Sequence, residues 1–316
     1  MADTTDSRKA LLIWVALSLV YVIWGSTYLG IRIMIETMPP LLSGSMRFVT
    51  AAAVLGLVLL VRHGTRVFGM SRRQAGGAAL VGLLLLTGGN GMVAVAEQYI
   101  SSGLAALLVA SVPLWLVVFR VVTRDRPHVL TLAGVLIGFA GVAALSLNGG
   151  GAGNKPTGIA VILLASLSWS IGSFLSARLP MPANPFAAST IEMIAGGLAL
   201  GVVGLSLGER LHLAEISTRS WAALAYMILI GSLVGFTSYI WLLGNAPISL
   251  VSTYAYVNPV VAVILGALIV AEPITTQMAV GGLIIVAGVI LVVSTERRGV
   301  GKNTAPEQEP ELSGAR

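Results

Sequence analysis

The sequence predicts an all-α polytopic membrane protein, with ten transmembrane helices arranged as two inverted five-helix repeats around a central cavity. Three observations carry that prediction. Ten apolar runs of spanning length follow one another along the chain. The two halves match each other at a near-constant offset. Each half also places one ionisable residue, Arg47 or Glu192, inside an apolar run at the matched position.

A spanning helix needs about 20 mainly apolar residues. Such runs lie at 11–31, 41–61, 75–96, 101–121, 128–148, 157–177, 185–207, 221–243, 248–270 and 275–295. Between them the loops are short. The first run follows Arg8 and Lys9, as a signal peptide would. It is too long for a signal h-region and ends at Arg32 without a small-residue cleavage site, so it reads as a retained first span. Residues 1–10 form a polar N-tail and 149–156 a linker between repeats 11–148 and 157–295. Residues 296–316 form a C-tail whose Glu-, Pro- and Gly-rich end, 303–316, has the composition of a disordered segment.

Of the 316 residues, 56% are hydrophobic and 10% charged. A soluble domain carries about 25% charged residues, so the surroundings that suit this surface are a lipid bilayer. Cysteine is absent, which excludes a disulfide framework and thiolate chemistry. In a soluble chain the net charge of +6 would suggest nucleic acid. Here the basic residues sit in short loops, where they set membrane orientation, and no nucleic-acid partner is expected. With both termini in the cytoplasm, fourteen Lys and Arg fall inside and four outside, Arg32, Lys155, Arg210 and Arg219. The positive-inside rule selects that topology.

The repeat matches Trp24 with Trp169, Pro40 with Pro185, Arg47 with Glu192 and Gly56 with Gly201, all 145 positions apart. Pro113 matches Pro259 and Pro127 matches Pro273 one position further out. Gly134 then matches Gly281, and Gly141 matches Gly288. Each unit has five spans. An odd number turns the second unit upside down relative to the first, the arrangement that suits alternating access.

Polar residues recur at helical spacing. Ser18, Tyr21, Gly25, Tyr28 and Arg32 share a face of the first span, with Trp24 beside it. Thr87, Asn90, Ala94 and Glu97 do so in the third, Ser166, Ser170 and Ser173 in the sixth beside Trp169, and Ser249, Ser252 and Tyr256 in the ninth. Tyr254 and Asn258 precede Pro259. Any one hydroxyl can simply join two helices. Stripes on matched helices point instead to a cavity walled by aromatic rings and hydroxyls. The candidate cavity residues are Trp24, Tyr28, Arg47, Asn90, Glu97, Trp169, Ser173, Glu192, Tyr254, Tyr256 and Asn258. Pro113 and Pro259, at matched interior positions, are candidate hinges, because proline frees a backbone carbonyl. The fifth and tenth spans carry glycines (Gly134, Gly138, Gly281, Gly282, Gly288) and few polar groups. They are placed at the periphery or in a dimer contact, the chain being a monomer or weak homodimer.

A charge at the bilayer centre costs about 2.5–3.5 kcal/mol on insertion scales, so it faces a wet cavity or a partner. Arg47 lies about 9 Å into a span that starts outside, and Glu192 roughly 10 Å into one that starts inside. They fall on opposite sides of the midplane. Separate roles at opposite ends of one cavity fit better than an ion pair.

Trp24-Gly25-Ser26, Arg47-Phe48 and Val257-Asn258-Pro259…Glu272 resemble the EamA repeat of the drug/metabolite transporter superfamily, and a second copy begins at the span of Trp169. The resemblance covers residues 11–295. Within it, the stretches Asn90–Glu97 and Tyr254–Val263 look like those of bacterial exporters of this group. One departure is Asp125-Arg126, where the family often has Gly-Glu before the fifth span. The resemblance implies a ten-helix basket in a bacterial inner membrane that exports small metabolites, commonly amino acids, from the cytoplasm.

No Walker A motif is present, so transport would be secondary or facilitative. The leading expectation is an exporter of amino acids and related metabolites. The alternative in the same class is an exporter of organic cations that uses Glu192 and the aromatic rings. An intramembrane enzyme would need ionisable groups clustered at one depth. His63, His128 and His212 lie in or beside loops with no metal-ligand spacing, so no enzyme, metal or cofactor is expected. If transport is proton-coupled, the sequence nominates Glu192 as the coupling carboxylate.

Overall fold

In lipid a backbone N–H or C=O has no water to turn to, so each apolar run must close its hydrogen bonds within itself. The computed structural model describes residues 2–124, 127–147, 154–246, 248–251 and 253–302, and all regular structure among them is helical. Among the described residues, nine helices are long and apolar enough to cross a bilayer: Lys9–Met34, Pro40–His63, Arg72–Ala96, Ser102–Val122, Val129–Leu147, Pro156–Ser176, Pro185–Ser206, Thr218–Tyr239 and Thr276–Thr295. Tyr254–Val270 is a shorter apolar helix of 17 residues at the ninth place in the chain. It follows a one-turn helix, Ile248–Val251, which takes up the start of the expected run. These are spans one to ten in chain order.

Helix extends past the expected limits at both ends, from Ala2 and to Lys302, so each polar tail begins as a continuation of its span. Residues 303–316, most of the linker, Asp125-Arg126 and Ser252 lie outside the described residues.

Contacts between spans follow the inverted repeat. Spans two and seven run antiparallel: Gly201 lies against Ser45, Gly197 against Val49 and Gly56 against Thr190. Spans five and ten do the same. Gly134 lies against Gly288 and Val292, and Gly141 against Gly281 and Ile285. A Thr131–Thr295 hydroxyl pair at 2.8 Å closes one end of that contact. The glycine stripes of spans five and ten are therefore used within the chain, where a missing Cβ lets two backbones approach. Span one packs against spans eight and nine, and span six against spans three and four. Exchanging one for six, eight for three and nine for four converts the first relation into the second.

Two irregularities also repeat. Spans three and eight each open into a π segment, Leu83–Gly91 and Met227–Val234, at matched positions. Such segments widen the turn and are frequent at functional sites. The matched proline spans differ from each other. Span four breaks into Ser102–Val109 and Val112–Val122, with Pro113 in the first turn of the second piece. Span nine runs through Pro259 unbroken.

Carboxylates clamp two helix starts. Glu209 accepts from the Leu41 and Leu42 N–H groups at 3.2 and 2.9 Å, at the start of span two. Glu272 accepts from Ser102 N, Ser102 Oγ and Gly103 N at 2.9, 2.9 and 3.2 Å, at the start of span four. Each carboxylate comes from the second half and caps a helix of the first, where unpaired N–H groups and the helix dipole favour an anion.

Candidate functional site: a central cavity

Where the two halves meet, a cavity of about 200 Å³ is lined from eight of the ten spans, one to four and six to nine. Spans five and ten contribute nothing to it. The Trp24-Gly25-Ser26 triplet shows how a helix distributes neighbours by about 100° per residue. Trp24 faces the cavity, Gly25 lets span one approach Val261 and Asn258 of span nine, and Ser26 bonds to the Tyr226 hydroxyl of span eight at 2.6 Å. A ring cluster bounds the cavity where span nine begins. Trp24 stands 4.9 Å from Tyr239 and 5.1 Å edge-on from Tyr254. One turn back along span one, the Tyr21 hydroxyl is hydrogen-bonded to Thr253.

Arg47 is buried in the cavity wall. Its Nε donates to Ser232 Oγ at 3.0 Å, its Nη1 reaches Asn90 Oδ1 at 3.4 Å, and the guanidinium lies 4.6 Å from the Phe48 ring centroid. Both hydrogen-bond partners come from the π segments. No carboxylate pairs with Arg47 among the described residues, so a buried cation faces the cavity held only by neutral groups.

Of the residues nominated from sequence, Trp24, Tyr28, Arg47, Asn90, Trp169, Tyr254, Asn258, Pro113 and Pro259 line this cavity. Asn258, with its amide turned to donate, reaches the Tyr21 and Tyr254 carbonyls at 3.3 and 3.2 Å. Four nominated residues stand elsewhere. Ser173 bonds to the Trp169 carbonyl of its own helix at 2.9 Å. Tyr256 packs against the apolar cluster around span four. Glu192 is turned off the cavity, one residue before Met193, which lines it. The Glu192 backbone packs on Gly82, and its carboxylate has no hydrogen bond or ion pair among the described residues. Glu97 is fully buried beyond the cavity's edge.

The reasons are local. The third-span stripe assumed 3.6 residues per turn, but the π segment shifts the face between Thr87 and Glu97. Thr87 bonds to the Gly196 carbonyl of span seven at 3.0 Å, while Asn90 turns to the cavity. Hydroxyls of the sixth-span stripe serve packing. Ser166 bonds to Ser111 at 2.7 Å and Ser170 reaches the Val112 carbonyl at 3.5 Å, both at the break in span four. Ser168, outside the stripe, satisfies the Leu84 carbonyl in the π segment at 2.8 Å.

Cavity residues that sequence reasoning missed are chiefly Ser232, Phe236 and Met193. Ser232 sits alone in an apolar run with no stripe around it. The available signal was its place opposite Asn90 in the repeat, three to five positions short of the offset of the other matches.

Residues 11–147 and 156–294 each match the EamA-like transporter family. The inner membrane transporter YedA of Escherichia coli K12 is 40% identical over 288 residues, 90% of this chain and 92% of YedA. The transporter YvbV of Bacillus subtilis is 26% identical over 303 residues, 92% of this chain and 93% of the relative. An Archaeoglobus fulgidus transporter is 21% identical over 290 residues, covering 89% and 98%. A solved crystal structure, 20% identical, superposes with a TM-score of 0.62 over 92% of this chain and 99% of its own, which supports the fold. Both halves match the family and fold as two inverted five-span repeats, so the chain belongs to the EamA-like transporter family of the drug/metabolite transporter superfamily.

Proposed function

We propose that this protein is an inner-membrane secondary or facilitative exporter of amino acids and related small carboxylates, working by alternating access. The observation that carries the substrate class is Arg47. A buried guanidinium without an acidic partner, in a cavity otherwise walled by rings and aliphatic groups, is complementary to one carboxylate. The rings of Trp24, Tyr28, Trp169, Tyr254 and Phe236 offer apolar contact to a variable side chain. A cavity with one fixed charge accepts several substrates of that pattern.

The alternative, an organic-cation exporter, finds less support. A cation in this cavity would meet Arg47, and Glu192, its expected counter-charge, is turned off the wall. Alternating access is supported by the pseudo-symmetric packing and by the paired π segments, which place adjustable turns at matched positions. Both termini are placed in the cytoplasm by the distribution of Lys and Arg. Inner-membrane placement follows the YedA relative.

The test is efflux of labelled threonine, methionine and phenylalanine from loaded proteoliposomes. Efflux above protein-free liposomes for at least one of them is expected. None above background for any amino acid would overturn the reading.

A further inference from the structure

Glu97 does not line the cavity, yet it is the most isolated carboxyl group among the described residues. It is 0% exposed, and neither carboxylate oxygen has a hydrogen-bond partner among the described residues. It lies just past the end of span three, one turn beyond Val93. Val93, Tyr28 and Ile31 line the central cavity on one side. On the other side Arg32, Gln98, Tyr99, Ile100 and Glu272 line a second cavity of about 210 Å³. Glu97 lines neither and occupies the wall between them.

Its charged neighbours are engaged elsewhere. Arg32 of span one donates from Nη1 to the main-chain carbonyl of Glu97, leaving the carboxyl group alone. Glu272, before span ten, is bound to the start of span four. Lys155, at the start of span six, lies 5.5 Å from the Tyr99 ring centroid. Arg47 of span two is held by Ser232 and Asn90. Span four presents Ser102, itself bonded to Glu272, and Tyr28 of span one is the remaining titratable group beside it. An ionised carboxylate in such a place is strongly disfavoured, and a proton removes the penalty. Burial, then the charge of Glu272, push the Glu97 carboxyl group well above the usual range, and Arg32 opposes them.

We propose that Glu97 is a proton-carrying site in the wall between the two cavities, protonated in this conformation and exchanging its proton with water of the second cavity as Arg32 moves between its carbonyl and its carboxylate. The two states balance simply. In one, the proton sits on the carboxyl group and Arg32 on the carbonyl. In the other, the proton is on water and the Arg32 guanidinium pairs with the anion. Arg32 already holds this residue, so the change needs a rotation of one side chain and an opening of the wall. The site, rather than Glu192, then couples export to a proton gradient. That coupling rests on the transport reading above, while the protonation does not.

Infrared spectra of the full-length protein in lipid at pH 7 test the protonation. The wild type is expected to show a protonated-carboxyl carbonyl band, and the wild-type minus Glu97→Gln difference is expected to contain it. A wild type without such a band overturns the proposal whatever the variant does, and so does a difference spectrum with only carboxylate bands. Efflux and exchange of labelled threonine, methionine and phenylalanine in proteoliposomes test the coupling. A gradient of about one pH unit is expected to support up to ~tenfold substrate accumulation by the wild type. Glu97→Gln is expected to keep substrate-for-substrate exchange and lose that response. A wild type indifferent to the gradient, or a variant that responds as the wild type does, overturns the coupling. If neither protein moves any amino acid, the transport reading fails and the spectra alone decide the site.

Discussion

Arg47 Nε donates to Ser232 Oγ across the boundary between the two repeats at 3.0 Å. One cation thereby joins span two to the π segment of span eight, and through Asn90 it touches the π segment of span three. Hydrogen bonds to a charged group are worth about 1.5–3 kcal/mol. Arg47→Gln is therefore expected to weaken carboxylate binding roughly tenfold to a hundredfold. Arg47→Lys keeps the charge but loses the fork, and it should fall between the two. Binding of labelled phenylalanine to purified variants measures this. Equal affinity in all three proteins would count against Arg47 as the carboxylate's partner.

The Glu272 cap is a structural prediction. It holds three donors at the start of span four from a half-buried position. Glu272→Ala is expected to destabilise the protein by about 1–2 kcal/mol, a cap-sized effect. Thermal unfolding in detergent reads it, and an unchanged midpoint would show that water replaces the carboxylate at no cost.

Spans five and ten test the glycine contact. A Cβ on Gly288 would lie 2.5 Å from the Gly138 nitrogen, and backbone cannot yield as a side chain can. Gly288→Leu is expected to cost on the order of 3 kcal/mol or more and to lower the yield of folded protein. Thr131→Val, which removes the Thr131–Thr295 hydroxyl pair, should cost only about 0.6 kcal/mol. Detergent melting curves of the two variants separate backbone contact from hydroxyl bonding. A Gly288→Leu protein as stable as the wild type would mean the spans can part freely.

Glu97 gives stability a pH dependence with a defined sign. Unfolded, its carboxyl group titrates near ~4.3. Folded, burial and the charge of Glu272 raise it, against Arg32. Between those two values the folded chain binds more protons than the unfolded one, so stability falls as pH rises through that window. Below it the contribution is flat. Glu97→Gln removes this slope. Melting temperatures of both proteins across the window check it, and parallel curves would contradict a buried neutral Glu97.

How much of this was legible beforehand depended on what kind of signal each feature leaves. The spans were legible because lipid demands long apolar runs, and the repeat because Trp24, Pro40 and Gly56 have partners at a fixed distance. The ninth span came out shorter than its run, since Ile248–Val251 forms a separate turn. Arg47, Asn90 and the ring residues stood out as polar or bulky groups in mid-membrane. The π segments left no mark, because Leu83–Gly91 and Met227–Val234 are apolar and glycine-bearing like any packed span. Without them the face of the third span could not be assigned, and Glu97 was grouped with Asn90 although Asn90 lines the cavity and Glu97 is buried in the wall beyond it. The sixth-span serines misled in the opposite way. Their spacing is regular because the break in span four needs hydroxyls at one face, at Ser111 and Val112.

The central claim is that a carboxylate-bearing metabolite crosses the membrane by way of Arg47. Its most direct measurement is efflux of labelled phenylalanine from loaded proteoliposomes carrying wild type or Arg47→Gln, with excess unlabelled phenylalanine or phenylalaninamide as competitor. Wild-type efflux is expected to be slowed by co-loaded phenylalanine and not by the amide, and the variant is expected to lose about tenfold or more. Equal competition by the amide, or undiminished efflux by Arg47→Gln, would contradict it.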